Sequence, residues 1–230
     1  MNVIFNKLVF LFLLSLPFVS AFAITSALTL PLIIMLLAVM CAGVSKKLIF
    51  DRNMSLIFLF FLFLMLVSTT LNMEGFVSAK PANHILSFIF SFLFFTLTYS
   101  YLSTNSLRRF NLFSKTILFG VILSSLTAIF EFVSVNVFSI PFDFIPRPAV
   151  NEYEPLSIGG VVRARGFAEE SGHFSLYLLS MYMLIFSFVR NNFSRPQVII
   201  LTSIVVMAVL LSFSVSGMFF SIIAIAITLL

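Results

Sequence analysis

The sequence predicts an all-α fold, a polytopic membrane helix bundle of about eight transmembrane helices with one long exterior loop. Three observations lead there. Of 230 residues, 61% are hydrophobic and only 9% charged, against about 45–50% and about 25% in ordinary soluble domains. A compact soluble protein of this mass exposes roughly 10,000 Å². The 13 basic and 8 acidic residues would be spread too thinly to keep that surface in water. The apolar residues also come in continuous runs rich in Leu, Ile and Phe, without the period-2 alternation of a membrane barrel. Hydrocarbon solvates no bare backbone, so such runs must cross as helices. A soluble domain is excluded, and 1–230 reads as a single integral membrane domain.

A helix needs about 20 apolar residues to cross the hydrocarbon core. Candidate spans fall near Leu8–Phe22, Ala27–Val44, Met54–Leu71, Ile85–Leu102, Leu112–Phe138, Phe174–Val189 and Val198–Ser214, and an eighth begins near Gly217. In the first, Lys7, the apolar stretch to Pro17 and the triplet Ala21-Phe22-Ala23 resemble a cleavable signal peptide. Immediate continuation into another span favours an uncleaved signal-anchor. With Trp absent, Tyr99, Tyr101, Tyr177 and Tyr182 are expected to supply the interfacial anchors. The lone Cys41 excludes a disulfide framework and any Cys-based metal site within one chain. The chain stops at Leu230 without a polar flank after the last apolar run, so a C-terminally incomplete or shortened protein is expected.

Orientation follows from the basic residues. With the N-terminus in the cytoplasm, the inside segments hold Lys7, Lys46, Lys47, Arg52, Arg108, Arg109, Lys115, Arg190 and Arg195, leaving Lys80, Arg147, Arg163 and Arg165 outside. That distribution obeys the positive-inside rule, and the reverse orientation violates it. The net charge of +5 is too dispersed to bind nucleic acid.

Ser45–Asn53, Ser103–Asn111 and Arg190–Gln197 read as ordinary turns. The segment 139–172 does not. It gathers Asp143, Arg147, Glu152, Glu154, Arg163, Arg165, Glu169 and Glu170, with His173 directly after it. Loops of this length are functional or disordered. Its opening Ile140-Pro-Phe-Asp-Phe-Ile-Pro-Arg-Pro is apolar and stiffened by proline, and is expected to lie along the membrane surface.

Arg163 and Arg165 are two residues apart, so an extended chain points both guanidinium groups to one side, and Gly166 permits a sharp turn. Glu169, Glu170, Ser171 and His173 then stand at the mouth of the next helix. A helix N-terminus with two arginines suits a phosphate or pyrophosphate, and a carboxylate or imidazole beside it can deprotonate a hydroxyl. Simpler readings stand beside this one. The arginines can contact lipid phosphates, the glutamates gain from the helix dipole without any catalytic duty, Ser171 suits an N-cap, and His173 can be an interfacial histidine.

Glu131, near the outer end of the fifth span, is costly in a membrane and so a functional candidate, or else the partner of an arginine in the loop above it. Glu74, Lys80 and His84 read as interfacial. There is no Gly-rich phosphate loop, no His-Glu-x-x-His and no Asp-x-Asp metal motif, so neither a nucleotide cofactor nor a metal is indicated.

The run Arg163-Ala-Arg-Gly-Phe-Ala-Glu-Glu-Ser-Gly-His-Phe-Ser-Leu-Tyr-Leu resembles the Arg-x-x-Gly-Phe, Glu-x-Ser and Phe-x-x-Tyr-Leu order of bacterial O-antigen polymerases and O-antigen ligases. Leu211-Ser-Phe-Ser-Val-Ser-Gly217 is similar to an element that ends a later span in that family. The resemblance in specific residues runs from about Val161 to Gly217. Members often have Pro where Glu170 precedes Ser171, or Pro next to the glutamate, and that proline is missing here. Family members also continue into more spans and a second large periplasmic loop.

The resemblance implies a metal-independent, cofactor-free inverting glycosyltransferase of the bacterial inner membrane, working on its periplasmic face. Its substrate would be an undecaprenyl-pyrophosphate-linked oligosaccharide, and other polysaccharide-assembly proteins and membrane lipid would be its partners. Arg163 and Arg165, with Arg147 as a further candidate, would hold the pyrophosphate. Glu170 or His173 would take the proton from the acceptor hydroxyl, with Glu131 and Glu169 in support. Two alternatives stand beside it. One is a transporter or flippase for a lipid-linked or anionic solute, with Glu131 and the arginines lining its pathway. The other is an inactive truncated polymerase.

Overall fold

The computed structural model describes residues 2–18, 21, 29–71, 80–103, 107–142, 145, 157–168, 170–214, 217 and 219. Among these the chain is helical apart from one short hairpin and the connecting segments. The order is α1 (Asn2–Ser15) with a 3-10 turn at Leu16–Phe18, α2 (Leu30–Val44), α3 (Arg52–Leu71), α4 (Lys80–Ser103), α5 (Leu107–Asn136), β1 (Ser157–Ile158), β2 (Val161–Val162), α6 (Ser171–Asn192) and α7 (Arg195–Leu211). Arg52–Thr70, Ile85–Ser103, Leu107–Asn136 and Ser171–Asn192 are long and apolar enough to cross a membrane, and Ile4–Phe18, Leu30–Val44 and Arg195–Leu211 are shorter apolar helices. The protein is therefore of the helical membrane kind. Each of the first seven expected spans overlaps a helix, in order, but only four of those helices have the length and apolar character of a membrane span. The eighth, from Gly217 onward, lies almost wholly outside the described residues.

The chain divides into two compact units, Met1–Val9 with Ile34–Arg109, and Phe10–Ile33 with Phe110–Leu230. In the first, α3 and α4 pack side by side through stacked rings: Phe58 lies 4.8 Å from Phe88 and 4.0 Å from Phe92. Asp51 starts α3, its Oδ1 accepting the Met54 N–H at 2.9 Å, so one helix-end donor is satisfied. The Ser100 hydroxyl accepts the Ile49 N–H at 2.8 Å and donates to the Thr96 carbonyl at 2.6 Å, which ties the 45–51 connection to α4. Tyr101 does not serve as a surface anchor. It is buried, with the Arg109 guanidinium 5.4 Å from its ring.

In the second unit α6 and α7 form a hairpin whose connection is only Phe193 and Ser194. The turn holds because Gln197 Oε1 accepts the Ser194 N–H at 3.0 Å, and Pro196 sits where a helix start needs no donor. Tyr182 and Thr202 join the two helices, hydroxyl to hydroxyl, at 2.6 Å. Tyr182 is thus a buried cross-link rather than the expected interfacial anchor, since a hydroxyl in an apolar interior must find a partner.

Helix α5 buries one stripe that includes Ile117, Val121, Ser124, Ala128 and Glu131. Those positions recur at helical spacing and mark its inward face. Gly120 admits Pro17, whose Cγ lies 2.8 Å from where a Cβ would stand. Beyond α5, Phe142 and Ile145 are buried in a cluster with Ala21 and Phe167. These two members of the proline-stiffened stretch are thus anchored in the protein itself.

Candidate functional site

The site is assembled from three helix ends and the segment Val161–Gly166. β1 and β2 pair antiparallel, Ser157 with Val162 and Ile158 with Val161, with Gly159 and Gly160 at the tip. The sequence reading foresaw no strand here. A two-residue pairing is too short to leave an alternation pattern. Asn136, the last residue of α5, acts as an extra strand edge for this hairpin. Its Oδ1 accepts the Val162 N–H at 2.8 Å and its Nδ2 donates to the Val162 carbonyl at 2.9 Å.

The chain then crosses the end of α7. Ala164 donates its N–H to the Leu211 carbonyl at 3.1 Å, and Arg163 Nε donates to the Ser212 carbonyl at 3.0 Å. The last carbonyls of a helix have no partner within it and carry its partial negative charge, so a guanidinium and a backbone N–H are the groups such an end attracts. Ala164 is buried and the arginines on either side are half-buried, as extended chain requires. The two guanidinium groups nevertheless engage different helices. Arg165 Nε lies 3.7 Å from Glu131 Oε1 on α5.

Glu131 is 4% exposed, and its Oε2 accepts the backbone N–H groups of both Arg165 (2.9 Å) and Gly166 (2.6 Å). Two successive N–H groups with the second residue at φ +54 make an anion seat in the backbone, here filled by the chain's own carboxylate. Pairing removes most of the cost of burying that charge. Gly166 also passes between α5 and α6: a Cβ there would lie 2.8 Å from Phe174 Cε2 and 3.5 Å from the Ser124 carbonyl oxygen. Of the two readings open for Glu131, the geometry supplies the ion pair with a loop arginine.

Helix α6 begins one residue earlier than the N-cap expected at Ser171. Glu170 occupies the cap, extended at φ −120 and ψ 145 with no side-chain cap bond, while Ser171 is the first helical residue and is buried. The Glu170 carbonyl accepts the Phe174 N–H at 3.0 Å. Glu170 and His173 are both exposed. Arg147, Glu169, Asp143, Glu152, Glu154 and Glu74 lie outside the described residues. Among the described residues, no three His, Cys, Asp or Glu side chains gather as metal ligands.

The two motif segments meet on α6. A Cβ on Gly217 would lie 2.7 Å from Ser175 Cβ and 2.9 Å from Val209 Cγ1, and the Gly217 N–H points to the Ser214 hydroxyl at 3.3 Å. Asn136 is the part that sequence reasoning missed, as is the contact of Arg163 with Ser212, a residue noted only within the Leu211–Gly217 element. The one signal for Asn136 is a short amide at the polar end of an apolar run, directly before the charged loop. No family model, no curated protein and no solved structure matches the chain.

Proposed function

We propose that the protein is a membrane glycosyltransferase of the O-antigen polymerase or ligase kind, which joins lipid-linked oligosaccharide units on the periplasmic face of the bacterial inner membrane. One observation carries this reading above the others: the arginine-bearing segment 163–166 is anchored through its backbone to α5 and α7, and the chain runs on from it to the exposed Glu170 and His173 at the start of α6. Guanidinium charge held in fixed geometry suits a diphosphate whose negative charge grows as it leaves.

In that reaction the acceptor hydroxyl attacks the anomeric carbon of the donor sugar, and the carbon–oxygen bond to undecaprenyl diphosphate breaks with inversion. Glu170 or His173 takes the hydroxyl proton. Guanidinium charge on the Arg163–Arg165 stretch receives the diphosphate, with Arg147 and Glu169 in the same loop as further members of the site. Lipid-facing apolar helices suit a polyprenyl tail. Transport needs Glu131 to line a pathway, whereas its carboxylate is buried and taken up by the loop backbone.

The test is glycan laddering in membranes that carry the chain together with lipid-linked repeat units. Replacing both Arg163 and Arg165 by Ala is expected to abolish the ladder while the protein inserts at its normal level. Glu170→Gln and His173→Gln, made separately, identify the base by which one removes transfer. Ladders that persist in the double arginine variant sink the proposal.

A further inference from the structure

The two loop arginines stand in different electrostatic positions. Arg165 faces Glu131 at 3.7 Å, on the same carboxylate that anchors its own backbone N–H and that of Gly166. One positive and one negative charge cancel locally, and the pair closes off the backbone's own anion seat. Arg163 has no acidic partner among the described residues. Its Nε spends itself on the Ser212 carbonyl, which sets the direction of the guanidinium and offsets only a helix end's partial charge. Its backbone is gripped on both sides, by Asn136 at Val162 and by Leu211 at Ala164.

We infer that the two arginines divide the work: Arg163 is the residue that contacts the diphosphate of the lipid-linked substrate, while Arg165 and Glu131 form a positioning pair that holds the turn and contributes no net charge to the ligand. This rests on the reading of the loop as a diphosphate site and deepens it. The chemistry follows from charge balance. A diphosphate needs a preorganised cation, and of the two guanidinium groups only that of Arg163 faces no carboxylate among the described residues.

The experiment uses the purified chain in detergent with geranylgeranyl diphosphate and inorganic diphosphate as probes, and phosphatidylglycerol in mixed micelles as the lipid-phosphate control. Binding is read by titration at several salt concentrations, and the melting temperature of the ligand-free protein alongside it. Arg163→Gln is expected to weaken geranylgeranyl diphosphate binding at least tenfold and to remove most of its salt dependence, with little change in melting temperature. Arg165→Gln is expected to lower the melting temperature yet keep affinity within threefold and retain the salt dependence. The neutral double variant Glu131→Gln with Arg165→Gln behaves as Arg165→Gln in binding, and covers the event that the single variant does not fold.

The inference is overturned if Arg165→Gln or the double variant loses binding and salt dependence while Arg163→Gln keeps them, or if the unaltered chain binds neither diphosphate. It is equally overturned if phosphatidylglycerol binds as tightly as geranylgeranyl diphosphate. Binding that follows the expected pattern without any glycan transfer sinks the proposed function and leaves this division of labour intact.

Discussion

Glu131 and Arg165 stand 34 residues apart in sequence, and the carboxylate of the first receives the backbone N–H of the second at 2.9 Å and faces its Nε at 3.7 Å. The relationship fixes a loop to a helix near its C-terminal end, where a carboxylate on its own is disfavoured by the helix dipole. A residue that is costly to place there is retained by what it holds. The ion pair also explains how a buried acid and a loop arginine coexist in a chain with so few charges.

Replacing Glu131 by Ala removes the acceptor of two N–H groups and strands a half-buried guanidinium. Breaking one side of a buried pair costs about 3–5 kcal/mol, and because Arg165 is 16% exposed the low end of that range is expected, about 3 kcal/mol. Glu131→Gln strands the same guanidinium but keeps an oxygen for the backbone, so a smaller loss, about 2 kcal/mol, is expected. Reversible unfolding in mixed detergent micelles measures both. Equal losses for Ala and Gln would mean that the backbone anchoring contributes nothing.

Gly166→Ala tests the passage between α5 and α6. The left-handed backbone at φ +54 costs a side-chain-bearing residue about 1–2 kcal/mol, and the new Cβ at 2.8 Å from Phe174 Cε2 adds a steric penalty. Adding Phe174→Leu should recover the steric share and leave the backbone share. Full recovery in the double variant would show that conformation does not matter at this position.

Asn136→Asp preserves the acceptor for the Val162 N–H and replaces the donor to the Val162 carbonyl by a second acceptor. Lost and repulsive hydrogen bonds of this kind cost about 1–3 kcal/mol. The loss falls on the hairpin rather than on α5, so amide exchange over 157–165 should accelerate while α5 stays protected. Unchanged exchange in the hairpin would remove Asn136 from the anchoring scheme.

How far the sequence foretold these contacts depends on which atoms make them. The apolar runs located seven helices because a membrane span is written in side chains, and Glu131 stood out because a lone carboxylate in such a run is rare. The charged segment after Val161 announced itself by composition. Asn136 did not, because its partners are the N–H and carbonyl of Val162, groups that every residue carries. Ser212 was hidden for the same reason, its carbonyl being its contribution to Arg163. Alternation put both guanidinium groups on one side of an extended chain, whereas Arg163 engages the end of α7 and Arg165 engages α5, a choice that depends on helix ends that meet only in three dimensions. Tyr182 looked like an interfacial anchor until Thr202, 20 residues on, supplied a buried partner.

That Tyr182–Thr202 bond offers the cleanest measure of what holds α6 to α7. Both residues are buried, and their hydroxyls lie 2.6 Å apart. Thr202 also donates to the Val198 carbonyl at 2.8 Å, so in this network Tyr182 supplies the proton across the gap. Hydrogen bonds between membrane helices average about 0.6 kcal/mol and reach about 1.7. Tyr182→Phe removes the donor and keeps the ring against Phe186, and Thr202→Val removes the acceptor at nearly constant volume. A double-mutant cycle with these two changes should return a coupling of about 1 kcal/mol. A coupling indistinguishable from zero would assign the pairing of α6 and α7 to apolar packing alone, with Tyr182 contributing only its ring.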